Sequence, residues 1–149
     1  MWYFRPSATA LIALVGFVFY VLVYTPWKRR SVHGTLLGAI SGAVPPVVGY
    51  CAVTNRFDLG AILLFLILVV WQMPHFYAIG IYRLNDYAAA SLPILSVKKG
   101  VNSTKKEMLI YAVLFTIVVA LLHFFGYTGY IYLLGMVAIS LYWMYIIWS

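Results

Sequence analysis

Leu59-Gly60-Ala61-Ile62-Leu63-Leu64-Phe65-Leu66-Ile67-Leu68-Val69-Val70-Trp71-Gln72-Met73-Pro74-His75-Phe76-Tyr77-Ala78-Ile79-Gly80-Ile81-Tyr82 runs for 24 residues without an Asp, Glu, Lys or Arg. At about 1.5 Å of rise per residue, a helix of this length reaches about 36 Å, enough to cross a hydrocarbon core of about 30 Å. The run from Ala61 to Val70 is apolar on every side, so it has no face to show to water. A membrane-spanning strand would be half as long and would alternate apolar with polar residues. The stretch therefore reads as a transmembrane helix.

Four more segments are equally free of charge: Ser7–Tyr24, Gly34–Val53, Met108–Phe125 and Tyr130–Trp148, with 18, 20, 18 and 19 residues. The expected fold is all-α, a polytopic bundle of about five transmembrane helices near 7–24, 34–53, 59–82, 108–125 and 130–148. Together they make a single transmembrane domain over residues 1–149. Composition agrees: 65% of the 149 residues are hydrophobic and 9% charged, against about 45–50% and about 25% in soluble domains. There is too little polar surface to coat a water-facing core, which excludes a soluble globular domain, a disordered tail and a nucleic-acid-binding domain. The lone Cys51 excludes a disulfide scaffold. The start of the chain is a poor signal peptide, with one basic residue, Arg5, and no small-residue cleavage site before Lys28.

Orientation follows from the cations. Lys28, Arg29, Arg30, Arg83, Lys98, Lys99, Lys105 and Lys106 hold eight of the ten basic residues in two loops, 25–33 and 83–107. Basic loops stay in the cytoplasm, so both are expected there. The net-neutral Thr54-Asn55-Arg56-Phe57-Asp58 and the uncharged Gly126-Tyr127-Thr128-Gly129 then face outward. A multi-pass protein of a bacterial inner (plasma) membrane is expected, on helices and charge bias rather than on a targeting signal. For Lys105 and Lys106, topology alone is sufficient explanation.

The cytoplasmic ends carry more polar chemistry than topology needs. If the third helix continues past Tyr82, Gln72, His75, Arg83 and Asp86 project within roughly 80° of one another, at about 100° per residue. Polar groups in hydrocarbon cost free energy unless they face a cavity or partners. Arg83 and Asp86, spaced i and i+3, can pair, and a helix-end ion pair with an interfacial histidine is the plainer alternative. Pro45-Pro46 in the second helix and Pro74 in the third are expected to interrupt them and free carbonyls near mid-membrane. Gly34, Gly38 and Gly42 recur every four residues, which reads as a close-packing face without a catalytic role.

Two non-catalytic readings stand beside an enzyme: a haem-binding electron-transfer protein and a transporter fragment. Against the first, His75 lies about 10 Å from the inner surface and His123 about 22 Å, whereas ligands of one iron share a depth. Against the second, the polar residues gather at the cytoplasmic mouth rather than at the midplane. Lys28, Arg29, Arg30, Lys98 and Lys99 around a carboxylate suit an amphipathic substrate with a phosphorylated head, such as a prenyl diphosphate, with a divalent metal bridging the carboxylate.

The stretches Tyr24-Thr25-Pro26-Trp27-Lys28-Arg29-Arg30-Ser31, Gly42-Ala43-Val44-Pro45-Pro46-Val47-Val48-Gly49-Tyr50-Cys51-Ala52-Val53-Thr54, Trp71-Gln72-Met73-Pro74-His75-Phe76-Tyr77-Ala78 and Arg83-Leu84-Asn85-Asp86-Tyr87 together resemble the haem O synthases, protohaem IX farnesyltransferases of the UbiA superfamily of intramembrane prenyltransferases. The resemblance implies a helical bundle around a lipid-open cavity. It implies transfer of the farnesyl group of farnesyl diphosphate to a vinyl group of haem B, with water adding to give haem O; haem B is a substrate, not a cofactor. It also implies Mg²⁺ held at the cytoplasmic mouth by two acidic motifs, and a haem A synthase or an oxidase-assembly protein as partner.

Carried over position by position, Asp86 matches the second acidic motif and is the candidate Mg²⁺ ligand, with Arg83 and Tyr87 beside it. Lys28, Arg29 and Arg30 match the basic loop, for contact with diphosphate or haem propionate. Gln72 and His75 match the Trp-Gln-Met-Pro-His block, as haem contacts or proton-handling groups; His75, Arg83 and Asp86 are the candidate catalytic residues. The family's first Asn- and Asp-rich motif has no counterpart among Asp58, Asp86 and Glu107, so half of the metal site is missing. The resemblance begins within the family pattern and stops before its last helix. The chain is therefore expected to be part of a longer enzyme and inactive in isolation.

Overall fold

The computed structural model describes residues 6–28 and 31–149. Helix α1 (Pro6–Phe19) passes through one π-helical turn (Tyr20–Tyr24) into a short α2 (Thr25–Trp27), and together they carry the first membrane span. Pro26 explains the wide turn. Its ring would press on the carbonyl four residues back and it has no N–H to offer there. Instead, both the backbone N–H and the hydroxyl of Thr25 donate to the Tyr20 carbonyl, the hydroxyl at 3.0 Å.

Helices α3 (Gly34–Gly42) and α4 (Val44–Thr54) share the second span and meet at Ala43 (φ −84°, ψ −10°). Pro45 and Pro46 fall in the first turn of α4, where a missing N–H is tolerated. Helix α5 (Leu59–Tyr82) is the third span, and here an expectation fails: Pro74 does not interrupt it. The proline is fully buried against neighbouring helices, and that packing holds the helix through the lost hydrogen bond.

Asp58 starts α5. Its Oδ1 accepts from the N–H groups of Gly60 (3.0 Å) and Ala61 (3.3 Å), while the Tyr50 hydroxyl on α4 donates to the same carboxylate at 2.9 Å. One side chain thus caps a helix and ties the hairpin. The Tyr50 hydrogen bond first, then the two N–H groups and Arg56, hold the Asp58 carboxyl below its ordinary value against the opposing effect of desolvation. The stability this adds is present above the ordinary carboxylate pKa of about 3.9 and is lost as the pH falls through the lowered folded value. Asp58→Asn keeps an acceptor at the cap but removes the titration. Melting of the detergent-solubilised protein is accordingly expected to lose part of its acid sensitivity in that variant.

After Tyr82 the chain breaks. Arg83 has non-helical angles (φ −103°, ψ 33°), and α6 (Leu84–Ala89) sets off anew. Helix α7 begins at Leu95 rather than Met108 and runs to Phe124, interrupted at Gly100, whose φ of 82° is open to glycine. The helix is longer than the charge-free segment because Asn102, Ser103, Lys105 and Lys106 lie within it. Helix α8 (Tyr130–Trp148) follows. Among the described residues five helices are long and apolar enough to cross a membrane.

Packing follows chain order. The first span lies on α3 and α4, these on α5, α5 on α7, and α7 on α8. Small side chains allow the approach: Ala39, Ala43, Ala61 and Ala112 are fully buried at these seams. Ala39 and Ala43 meet Val69 and Met73, whereas Val70, Phe115 and Val119 gather Met136 and Trp143 from α8. Large apolar residues such as Leu22, Val53 and Ile131 point outward, as expected of a surface solvated by lipid.

Candidate functional site

At the end of the bundle that carries Lys28 and α6, a cavity of about 530 Å³ opens between the α2–α3 corner, α5 and the α6–α7 connection. Its polar wall presents Tyr24, Lys28, Ser31, Thr35, Tyr87 and Ser96. The apolar wall is Phe76, Ile79, Leu92 and Ile94, with Tyr77 beside them. Among the described residues, one cation and several hydroxyls thus share the lining with apolar side chains, a combination that suits an anionic head on an apolar body.

Local chemistry shapes each wall. The π-helical turn delivers Tyr24 to the cavity, and the Lys28 ammonium lies 5.6 Å from its ring centroid, within cation–π range. Gly34 lets α3 start against the backbone of that corner: a Cβ there would meet the Lys28 Cα at 2.8 Å. At Gly38 a Cβ would meet the Tyr24 ring at 2.9 Å, and at Gly42 the amide of Gln72 at 2.7 Å. The glycine stripe does pack helices, yet Gly34 and Gly38 also line the cavity. On the opposite side the Ser96 hydroxyl donates to the Gly80 carbonyl at 2.9 Å and pins the α6–α7 connection onto α5.

Of the residues singled out from sequence, Lys28 and Tyr87 line this cavity. Gln72 lies one helical turn below Phe76, its amide seated on Gly42 and its buried Oε1 without a hydrogen-bond partner. His75 is exposed and outside the cavity lining, stacked on Trp71 at 5.3 Å with planes 8° apart and 5.8 Å from the ring of Phe76. Arg83 and Asp86 are exposed, and among the described residues they form no ion pair. The break at Arg83 is the reason: the continuous stripe from Gln72 to Asp86 required one unbroken helix. Lys98 and Lys99 are exposed ahead of Gly100, outside the cavity wall, and Arg29 and Arg30 lie outside the described residues.

Tyr24, Ser31, Thr35, Phe76 and Ser96 were not anticipated. Tyr24, four residues before Lys28 and so on the same helical face, carried the one available signal.

A divalent cation of the magnesium type needs several oxygen ligands. Among the described residues no three His, Cys, Asp or Glu side chains gather to hold a metal, and Asp86 is the one carboxylate in the α6 region. These residues do not by themselves fit a magnesium site.

A bundle of membrane-length helices with a cavity of mixed polar and apolar lining at one end defines a polytopic membrane protein. The chain belongs to the UbiA prenyltransferase family, whose pattern matches residues 1–149, and it is a multi-pass membrane protein. It is 49% identical over 144 residues to the protoheme IX farnesyltransferase of Protochlamydia amoebophila, covering 97% of this chain and 51% of that protein. It is 48% identical over 150 residues to protoheme IX farnesyltransferase 2 of Pseudomonas fluorescens Pf-5, covering 100% and 51%. With the Pf0-1 strain's protoheme IX farnesyltransferase 2 the identity is 51% over 141 residues, covering 94% and 48%. The chain spans about half the length of the curated relatives it matches. No solved structure matches it.

Proposed function

We propose that this chain takes part in farnesyl transfer from farnesyl diphosphate to a vinyl group of haem B, forming haem O. The observation that carries the reading is the cavity itself, which among the described residues combines a cation and several hydroxyls with aromatic and aliphatic side chains. The names of its relatives supply the reaction class. Loss of diphosphate builds negative charge on the leaving group and positive charge on the farnesyl carbon. Lys28 stabilises the first, with Ser31, Thr35 and Tyr87 as hydroxyl donors. Tyr24, Phe76 and Tyr77 stabilise the second and keep water from it.

Arg29 and Arg30, next to Lys28 in the sequence, are proposed as contacts for diphosphate or a haem propionate, and Lys98 and Lys99 add to the field that draws anions in. Arg83, Asp86 and His75, none of which lines the cavity, are candidate catalytic groups on their match to the family's motifs. Mg²⁺, which the family implies, requires carboxylates beyond Asp86. In this reading the basic loops face the cytoplasm of a bacterium, the lipid is its inner membrane, and haem O passes to a haem A synthase or an oxidase-assembly partner.

Membranes from cells expressing the gene at its native locus, given haem B, farnesyl diphosphate and Mg²⁺, are expected to yield haem O on mass spectrometry. Asp86→Asn and His75→Ala are each expected to lower the yield. Haem B recovered unchanged from the parental membranes would overturn the reading.

A further inference from the structure

The Gln72 amide carries, one turn from the cavity, a buried oxygen without a hydrogen-bond partner among the described residues, and the steps above leave it unused. Its oxygen is sealed from solvent and has no donor, an arrangement that costs about 1–3 kcal/mol if nothing ever satisfies it. The neighbouring turns of both helices that enclose it, at Phe76 on α5 and Gly38 on α3, line the cavity, so the amide lies one turn beneath that lining. Oε1 and Nε2 stand at nearly equivalent places, 2.7 and 2.9 Å from a Cβ position on Gly42. Terminal amide torsions are soft, so a rotation can turn the oxygen toward the cavity. Gly42, with no side chain, gives the amide its seat.

The reactants of the proposed reaction differ in what they can give this acceptor. Farnesyl diphosphate at neutral pH offers oxygen acceptors and hydrocarbon. Haem B carries no N–H once iron is bound, and its propionates are ionised. Water alone brings a hydrogen-bond donor. Resting on the functional reading above, we propose that Gln72 is a positioning residue: its Oε1 holds the water that adds to the vinyl-derived cation.

In that step the vinyl π electrons form the bond to farnesyl C1 as the carbon–oxygen bond to diphosphate breaks, leaving a cation on the carbon next to the porphyrin. The water held by Gln72 gives a lone pair to that carbon and releases one proton, which the departed diphosphate accepts. No oxidant or reductant is required. Without the positioned water, the same cation loses a proton to diphosphate instead and yields a farnesylated haem lighter by one water.

The test compares products rather than rates. Membranes carrying the native gene product, or its Gln72→Met, Gln72→Glu or Gly42→Ala variant, receive haem B, farnesyl diphosphate and Mg²⁺, and the haems are resolved by mass spectrometry. Gln72→Met, similar in size but without an acceptor, should raise the ratio of dehydrated to hydrated product about tenfold, the worth of one such hydrogen bond. Gln72→Glu, which keeps an acceptor, should restore hydration. Gly42→Ala, which lifts the amide from its seat, should shift the ratio in the same direction as Gln72→Met. An unchanged ratio in Gln72→Met, at whatever rate, would overturn the proposal, as would loss of both products in Gln72→Met and Gln72→Glu alike, which marks a structural role. Absence of any farnesylated haem from the parental membranes would instead overturn the functional reading.

Discussion

Gly34→Ala is expected to unseat the α2–α3 corner and, with it, the cavity. The added methyl would lie 2.8 Å from the Lys28 Cα, 3.4 Å from its backbone nitrogen and 3.5 Å from the Trp27 carbonyl oxygen. All three are backbone atoms, which cannot swing aside as a side chain does. Helix α3 must therefore move off the corner, at a cost of about 1–3 kcal/mol for overpacking of this kind. Thermal melting of the detergent-solubilised protein should show the loss, and haem O formation should fall with it. Gly49→Ala is the control, since nothing lies within 4 Å of a Cβ at that position and no change is expected. Equal melting of the Gly34 and Gly49 variants would mean that the corner tolerates a side chain.

The second large effect is expected at Lys28. Its ammonium is the cation among the described residues that lines the cavity, beside Ser31 and Thr35. Lys28→Met keeps the aliphatic stem and removes the charge. Losing one charge-assisted hydrogen bond to an anion, worth about 1.5–3 kcal/mol, predicts a fall in kcat/KM for farnesyl diphosphate of about tenfold to a hundredfold. The KM for haem B separates the two anions: unchanged, it assigns Lys28 to the diphosphate; raised in parallel, it assigns Lys28 to a propionate. A kcat/KM within a factor of about two of the parental value would remove Lys28 from the site, since that is less than any such bond contributes.

The membrane spans were legible because charge is so expensive in hydrocarbon that its absence marks them without an alignment. The same criterion misplaced the start of α7, since Lys105 and Lys106 are helical residues ahead of the charge-free segment, and Lys98 and Lys99 lie in the short helical stretch before the kink at Gly100. Pro74 was read as a break because an isolated helix would break there. Burial against its neighbours decides otherwise, and that is a property of the assembled bundle. The polar stripe failed at a single residue: helical spacing carried Arg83 and Asp86 onto the face of Gln72, and the non-helical angles of Arg83 take them off it.

The site was legible only where its chemistry is written in one short stretch. Lys28 stood out by its charge within a basic block, and Tyr87 by its place beside Asp86 in the resemblance to the family's acidic motif; both line the cavity. Tyr24, Thr35, Phe76 and Ser96 come from four separate elements and meet only because α3 and the α6–α7 connection both close on α5. Gly34 and Gly38 gave a real signal, close packing, but no spacing rule says that what they pack against also forms the wall of a cavity.

Each span leans on the one synthesised just before it, and the extensive contacts join neighbours along the chain. Every new helix leaving the ribosome and entering the bilayer therefore finds its docking partner already in place. Assembly of this chain needs no search among distant segments and can keep pace with translation.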